Sequence, residues 1–259
     1  MTTRGAFAFA LTLTLLALIA APAQAQGPAH AERYVEGEAG WKFGLAPYLW
    51  AVGIDGTVVV NGVPSEVDVG FDELFDQVDF AAELHFEAIK DNKWGVLIDP
   101  TYVKASIDSQ VGPLPAKVEL KYVLTDFALT RQVAKNWQVL AGARYTTMEN
   151  TIQITGLPAV TADKSWTDLI VGGRFVTKLS EKWVFMARAD IGGFGIGSSS
   201  EFTWNTSALF FRNWRNTSLI VGYRVLDVDF EDGAGPTLFK FDVRQDGPIL
   251  GVGFRWPRR

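Results

Sequence analysis

The chain has 259 residues, a formal charge of −5, no cysteine, and 48% hydrophobic residues, among them Trp 9, Phe 18 and Tyr 6. Without cysteine, disulfides and thiolate metal or redox sites are excluded. An acidic balance with no basic cluster argues against nucleic acid as a partner.

Residues 1–25 read as an export signal: Arg4 is the positive start, "AFAFALTLTLLALIAA" the apolar core, and "AQA" the small-residue cleavage site before Gln26. Removing it leaves 259 − 25 = 234 residues and a charge of about −6 once Arg4 is lost. Residues 26–40 form a periplasmic leader containing His30, and residues 41–256 the folded part. No remaining stretch has the 18 apolar residues a transmembrane helix needs.

From residue 41 onward, segments with period-two alternation recur, closed by turn residues. Ten are expected, over about 41–53, 80–90, 94–106, 118–131, 137–150, 166–179, 183–194, 202–212, 217–230 and 239–256. In "WQVLAGARYTT", Trp137, Val139, Ala141, Ala143 and Tyr145 share one face, and Gln138, Gly142, Arg144 and Thr146 the other. The connections "DNK", "VAKN", "LSEK" and "RNWRN" are short. Those over about 54–79, 107–117, 151–165, 195–201 and 231–238 are longer. In the first of these, "GIDGTVVVNGVPSEVDV" reads as a small hairpin and "FDELFDQ" as a short acidic helix. In the last segment Phe239, Phe241 and Val243 have the opposite parity to Leu250, Val252 and Phe254, so a bulge is expected at Asp246–Pro248.

Short turns on one side and long loops on the other describe a transmembrane barrel. The expected fold is all-β: a single transmembrane antiparallel up-and-down β-barrel of about ten strands, with eight or twelve as alternatives. Tryptophans fall at strand ends, so Trp41, Trp94, Trp137, Trp183, Trp214 and Trp256 are expected in a girdle on the short-turn side, and Trp166 and Trp204 on the long-loop side, with Trp50 near it.

"WKFGLAPYLWAVGIDGTV", "DIGGFGIGSSSEFTWN", "GYRVLDVDF" and "GPILGVGFRW" resemble a family of small proteobacterial outer-membrane β-barrel proteins, over essentially the whole mature chain. The resemblance implies the barrel, a place in the Gram-negative outer membrane and contact with its lipid and lipopolysaccharide. It brings no established activity. Many outer-membrane proteins end on an aromatic residue that the barrel-assembly machinery reads. Here Trp256 precedes "PRR", and Phe254 and Trp256 would serve as that signal.

By parity, Glu83, His85, Glu87, Asp99, Arg144, Asp168, Arg174, Arg188, Asp190, Arg224 and Arg255 line the lumen. Ion pairing within the barrel is the preferred reading of these charges. A metal centre at "ELHFE" is disfavoured, because same-face strand neighbours stand roughly 6.5–7 Å apart; no metal or other cofactor is expected. Omptin-like or phospholipase-like catalysis is also disfavoured, since His85 sits midway down its strand and no nucleophile–base set is apparent. "GGFGIG" leads into a strand rather than a helix, so it is not a phosphate loop. "LDVDFEDG" reads as a solvated rim. The expected function is a narrow passive channel or small-solute binder with a charged lumen. The alternative is a closed barrel with an envelope-structural or adhesive role through its long loops.

Overall fold

The computed structural model describes residues 40–111 and 114–256. The expected export signal, nearly all of the leader with His30, and the closing residues 257–259 therefore lie outside the described residues. In chain order the elements are β1 (Trp41–Trp50), β2 (Gly53–Val60), β3 (Val63–Val69), α1 (Phe71–Gln77), β4 (Val78–Lys90) and β5 (Trp94–Val111). There follow β6 (Leu114–Ala134), β7 (Trp137–Ile154), β8 (Val160–Lys178), β9 (Trp183–Gly193), β10 (Phe202–Asn213), β11 (Thr217–Asp232) and β12 (Phe239–Trp256). β1 and β4 to β12 run antiparallel around a ring, and β1 pairs with β12 to close it. The fold is a closed ten-stranded antiparallel β-barrel. Around the part closed by β1 no edge is left, so backbone donors and acceptors there are satisfied strand to strand, and above it β2 covers the edge of β12.

The expected mini-hairpin joins the sheet but not the ring. β2 pairs with β12 over Lys240–Asp246, and β3 pairs with β2 alone. Asn61 and Gly62, at φ 52° and 76°, make the two-residue turn between them, the sign of φ that Asn-Gly accepts at least cost. The acidic helix over "FDELFDQ" forms as α1.

Two expectations about the long-loop side are corrected. The segments 107–117 and 151–165 are mostly not loops, because β5–β6 pair out to Val111–Leu114 and β7–β8 out to Ile152–Val160. Polar alternation continues there and is paired across strands. Lys121 Nζ lies 2.6 Å from Glu149 Oε1, and Thr151 Oγ1 lies 2.9 Å from Thr161 Oγ1. The bulge at Asp246–Pro248 is absent: β11 and β12 stay in one register from Asp232↔Phe239 to Thr217↔Phe254.

The parity change in β12 has another cause. Near the short turns the outward face is apolar and exposed: Leu129 is 58% exposed and Leu169 56%, with Val139, Tyr223, Leu250 and Phe254 on the same surface. Toward the long loops the inward face is apolar and packed. Leu226 is 0% exposed and Phe230 3%, with Tyr122, Leu124, Phe239, Phe241 and Val243 in the same cluster. In β11 the switch falls between Val225 and Leu226, and in β12 between Val243 and Leu250. A straight strand with an inverting hydrophobic face crosses from an apolar exterior to an aqueous one, where the apolar side must turn inward. The barrel thus has two storeys, a belt with an apolar outside and an extension with an apolar inside.

The rim of the belt at the short turns carries outward-facing tryptophans, with Trp41, Trp94, Trp137, Trp183 and Trp256 exposed and Trp214 half-buried. Cations lie over several of these rings: Arg131 4.9 Å from the Trp94 centroid, Arg212 5.3 Å from Trp214, and Lys90 5.9 Å from Trp41. Such pairs place an amphipathic ring and a snorkelling charge at one level. On the long-loop side Trp204 is half-buried beneath Arg244. Trp166 is not in a girdle. It is 2% exposed inside the barrel and stacks on Phe230 at 4.2 Å. Trp50 is buried inside as well. Trp166 shares the inward parity of Asp168, and in the upper storey that face is the apolar core.

Candidate functional site

The interior is bridged at three levels. Nearest the short turns, Arg174 on β8 reaches across to β4, with Nη2 2.6 Å from Glu87 Oε1 and Nε donating to Gln138 Oε1 at 2.7 Å. Three strands separate β4 from β8 on the shorter way round, so this pair spans the lumen.

At mid-height two carboxylates hold two guanidinium groups, with a third beside them. Asp126 receives Arg144 Nε at 2.8 Å and Arg188 Nη2 at 2.7 Å, and Arg224 Nη2 stands 4.0 Å away. Asp190 receives Arg144 Nη2, Arg188 Nε and Asn205 Nδ2, each at 2.8 Å. Asp126 on β6 and Arg224 on β11 sit on diametrically opposite strands of the ring. Arg144 and Asp190 are fully buried, and every close charge in this layer faces an opposite one. Ions removed from water persist only with such partners. Beside the layer, Asp99 accepts Tyr48 Oη at 2.6 Å and pairs with His85 Nδ1 at 2.9 Å. Glu83 Oε1 accepts the Trp50 amide at 3.0 Å.

Above the charges lies the aromatic layer. Trp166 on β8 meets Phe230 on β11 and Phe241 on β12, and Phe230 meets Phe239. Gln245 Nε2 donates to Tyr122 Oη at 3.3 Å between β12 and β6. The β9–β10 connection is tied to the wall at this height, because Asp168 accepts the Ser200 amide at 2.7 Å and its hydroxyl at 3.0 Å.

Below the mid-height charges there is a void of ≈ 870 Å³, its open mouth toward the short turns included. Its lining is mixed: β9 to β12 bring Met186, Leu209, Phe211, Ile220 and Ile249 together with Arg188, Asn205, Ser207 and Arg224, and β1, β4, β5 and β8 bring Tyr48, His85, Glu87, Asp99 and Arg174.

The structure places the sequence-derived residues in separate groups. Glu83, His85 and Glu87 share a face yet turn to the Trp50 amide, Asp99 and Arg174 respectively, so "ELHFE" does not converge on one point. Arg144, Arg188, Asp190 and Arg224 come together. Asp168 stands apart with Ser200, and Arg255 lies near the mouth with Nη2 3.1 Å from Arg215 O. Asp126, the hub of the network, is not among the residues the sequence singles out, nor are Asn205 and Tyr48, and Gln138 is placed on the face of Arg144 without a role. Asp126 was recoverable, since it has the opposite parity to the outward Phe127 and Leu129.

No protein-family model and no characterised protein sequence matches the chain. Among solved structures it is similar to Ail, the attachment invasion locus protein of Yersinia pestis, in complex with the heparin analogue sucrose octasulfate, at TM-score 0.41 and 10% identity over 85% of this chain and 100% of that one. It is similar to the translocator domain of the autotransporter NalP from Neisseria meningitidis at TM-score 0.38 and 13% identity, over 87% and 91%. It is similar also to a Pseudomonas aeruginosa FadL homologue at TM-score 0.33 and 8% identity, over 83% and 90%.

Proposed function

We propose that this chain is an integral outer-membrane β-barrel closed to passage, with an envelope-structural role in which its upper storey and paired hairpins are displayed outside the membrane. The observation that carries this reading is the double seal: a charge-paired layer bridging opposite strands, capped by a packed aromatic layer. The outward apolar belt with its tryptophan and cation rim supports the membrane placement, since a water-facing surface does not sustain a contiguous apolar band of that extent. On this reading lipid and lipopolysaccharide surround the belt, and the barrel-assembly machinery receives the last strand through Phe254 and Trp256. The reading has no catalytic component: His85 is held by Asp99 within the lumen wall.

A ten-stranded barrel lies between those filled by side chains and those wide enough for an aqueous channel, so the lining decides. Reconstituted in a planar bilayer, with heat-modifiable gel migration confirming the folded barrel, the protein is expected to give no step-like openings. Discrete, reproducible single-channel conductance would overturn the reading in favour of a passive channel.

A further inference from the structure

The void beneath the charged layer is not needed to seal the barrel, and its lining sets an apolar cluster beside charged groups. Met186, Leu209, Phe211, Ile220 and Ile249 give it an apolar side. Its mouth is open, and its lining sets a few placed polar groups beside apolar side chains, the composition of a small-molecule site. An apolar cluster beside the charged layer suits an occupant with an apolar body.

Arg224 defines the other end of that occupant. Arg144 and Arg188 each hold two carboxylates at 2.7–2.8 Å, whereas the nearest carboxylate oxygen to Arg224 is 4.0 Å away. Its Nε donates to Asn205 Oδ1 at 2.8 Å and its plane lies over Trp50 at 4.7 Å, so the guanidinium is held rigidly from behind. Among the described residues its terminal nitrogens make no hydrogen bond, although Arg224 is only 6% exposed and lines the void. A guanidinium carries five N–H donors, so this one has donors left over. The carboxylates on the void direct their hydrogen bonds to other groups, Glu87 to Arg174 and Asp99 to Tyr48 and His85. A buried cation with spare donors, a nearby apolar cluster and an open approach form a receptor for an anion.

We propose that this vestibule binds a small organic carboxylate, with its carboxylate on the terminal nitrogens of Arg224 and its apolar body against Met186, Phe211 and Ile220. The proposal rests on the closed-barrel reading in one respect: the sealed layer makes the void a pocket rather than a stretch of pore. The occupant enters and leaves by the short-turn end. Charge-assisted bonds to a desolvated guanidinium set the preference for an anion, and contact with the apolar side chains favours an organic anion over an inorganic one.

Calorimetry on the barrel in nanodiscs, with empty nanodiscs as the blank, tests this with 4-phenylbutyrate as the probe and 4-phenylbutanol and 4-phenylbutylamine as neutral and cationic controls. Saturable binding of the carboxylate is expected, roughly tenfold or more tighter than the alcohol, the effect of one charge-assisted contact. Arg224→Gln should abolish that preference. Leu209→Trp, which narrows the void at a position opposite Met186 and Gly222 rather than opposite Arg188 and Arg224, should abolish binding of the carboxylate. No binding to the wild type, equal affinity for acid and alcohol, or an unchanged preference in Arg224→Gln would overturn the proposal. Absence of binding by a barrel that also does not conduct defeats the ligand alone. Conductance defeats the closed barrel.

Discussion

Arg144 shows how a single residue organises the interior. Its guanidinium takes Asp126 and Asp190 at once, from a position between Ala143 and Tyr145 that period-two alternation turns inward. Arg144→Ala would leave Asp126 and Asp190 dependent on Arg188, and removing one partner of a buried charge set costs about 3–5 kcal/mol. Urea unfolding of the bilayer-embedded barrel should show that loss; an unchanged midpoint would mean the layer is wet and contributes little. The inward parity of Arg144 was legible in the sequence, and so was that of Trp166, two residues before Asp168. A place near a strand end predicts a girdle position for Trp166, but its inward parity decides its burial at 2% exposure. The partner of each charge was not legible. Glu87 and Arg174 are 87 positions apart, and their meeting depends on how strands tilt and stagger around the closed ring, which local periodicity does not encode.

Among the elements, β11 and β12 carry the most information about the surroundings. Their opposite apolar parities in the two halves suggested a bulge on the assumption that apolar faces always meet lipid. The unbroken register shows that the surroundings change while the strand does not. The β2–β3 hairpin is a separate element hung on the upper half of β12, and its Asn-Gly turn was visible in the sequence. Neither β2 nor β3 contributes to the pairs that close the ring, β1–β12 and β1–β4. Replacing residues 53–77 with a short Gly-Ser linker should therefore leave heat-modifiable migration intact, at lower thermal stability because Lys240–Asp246 lose their partner strand. Failure of that deletion to insert would mean that the hairpin is part of the barrel's assembly rather than an addition to it.

For the whole molecule, three layers account for the interior: a charge-bridged floor with an open vestibule, a paired mid-height network, and an aromatic core above it. The ten-strand count, the short-turn girdle and the charged lining follow from alternation and turn length. The sealed upper storey does not, because apolar residues packed inside a barrel and apolar residues facing lipid look alike in composition and differ only in parity.

The two-storey arrangement is the central claim, and the chain's lack of cysteine makes it directly accessible. Single cysteines at Val221, Val228 and Glu231 on β11, challenged with a membrane-impermeant maleimide in proteoliposomes, separate lipid, packed core and water along one strand. Only the Glu231 position should react: Val221 faces the bilayer, and Val228 is 2% exposed in the upper core although it lies above the belt. Labelling at Val228 as fast as at Glu231 would show a water-filled upper lumen, and labelling at Val221 would show that the belt is not in lipid. Either result would contradict the account.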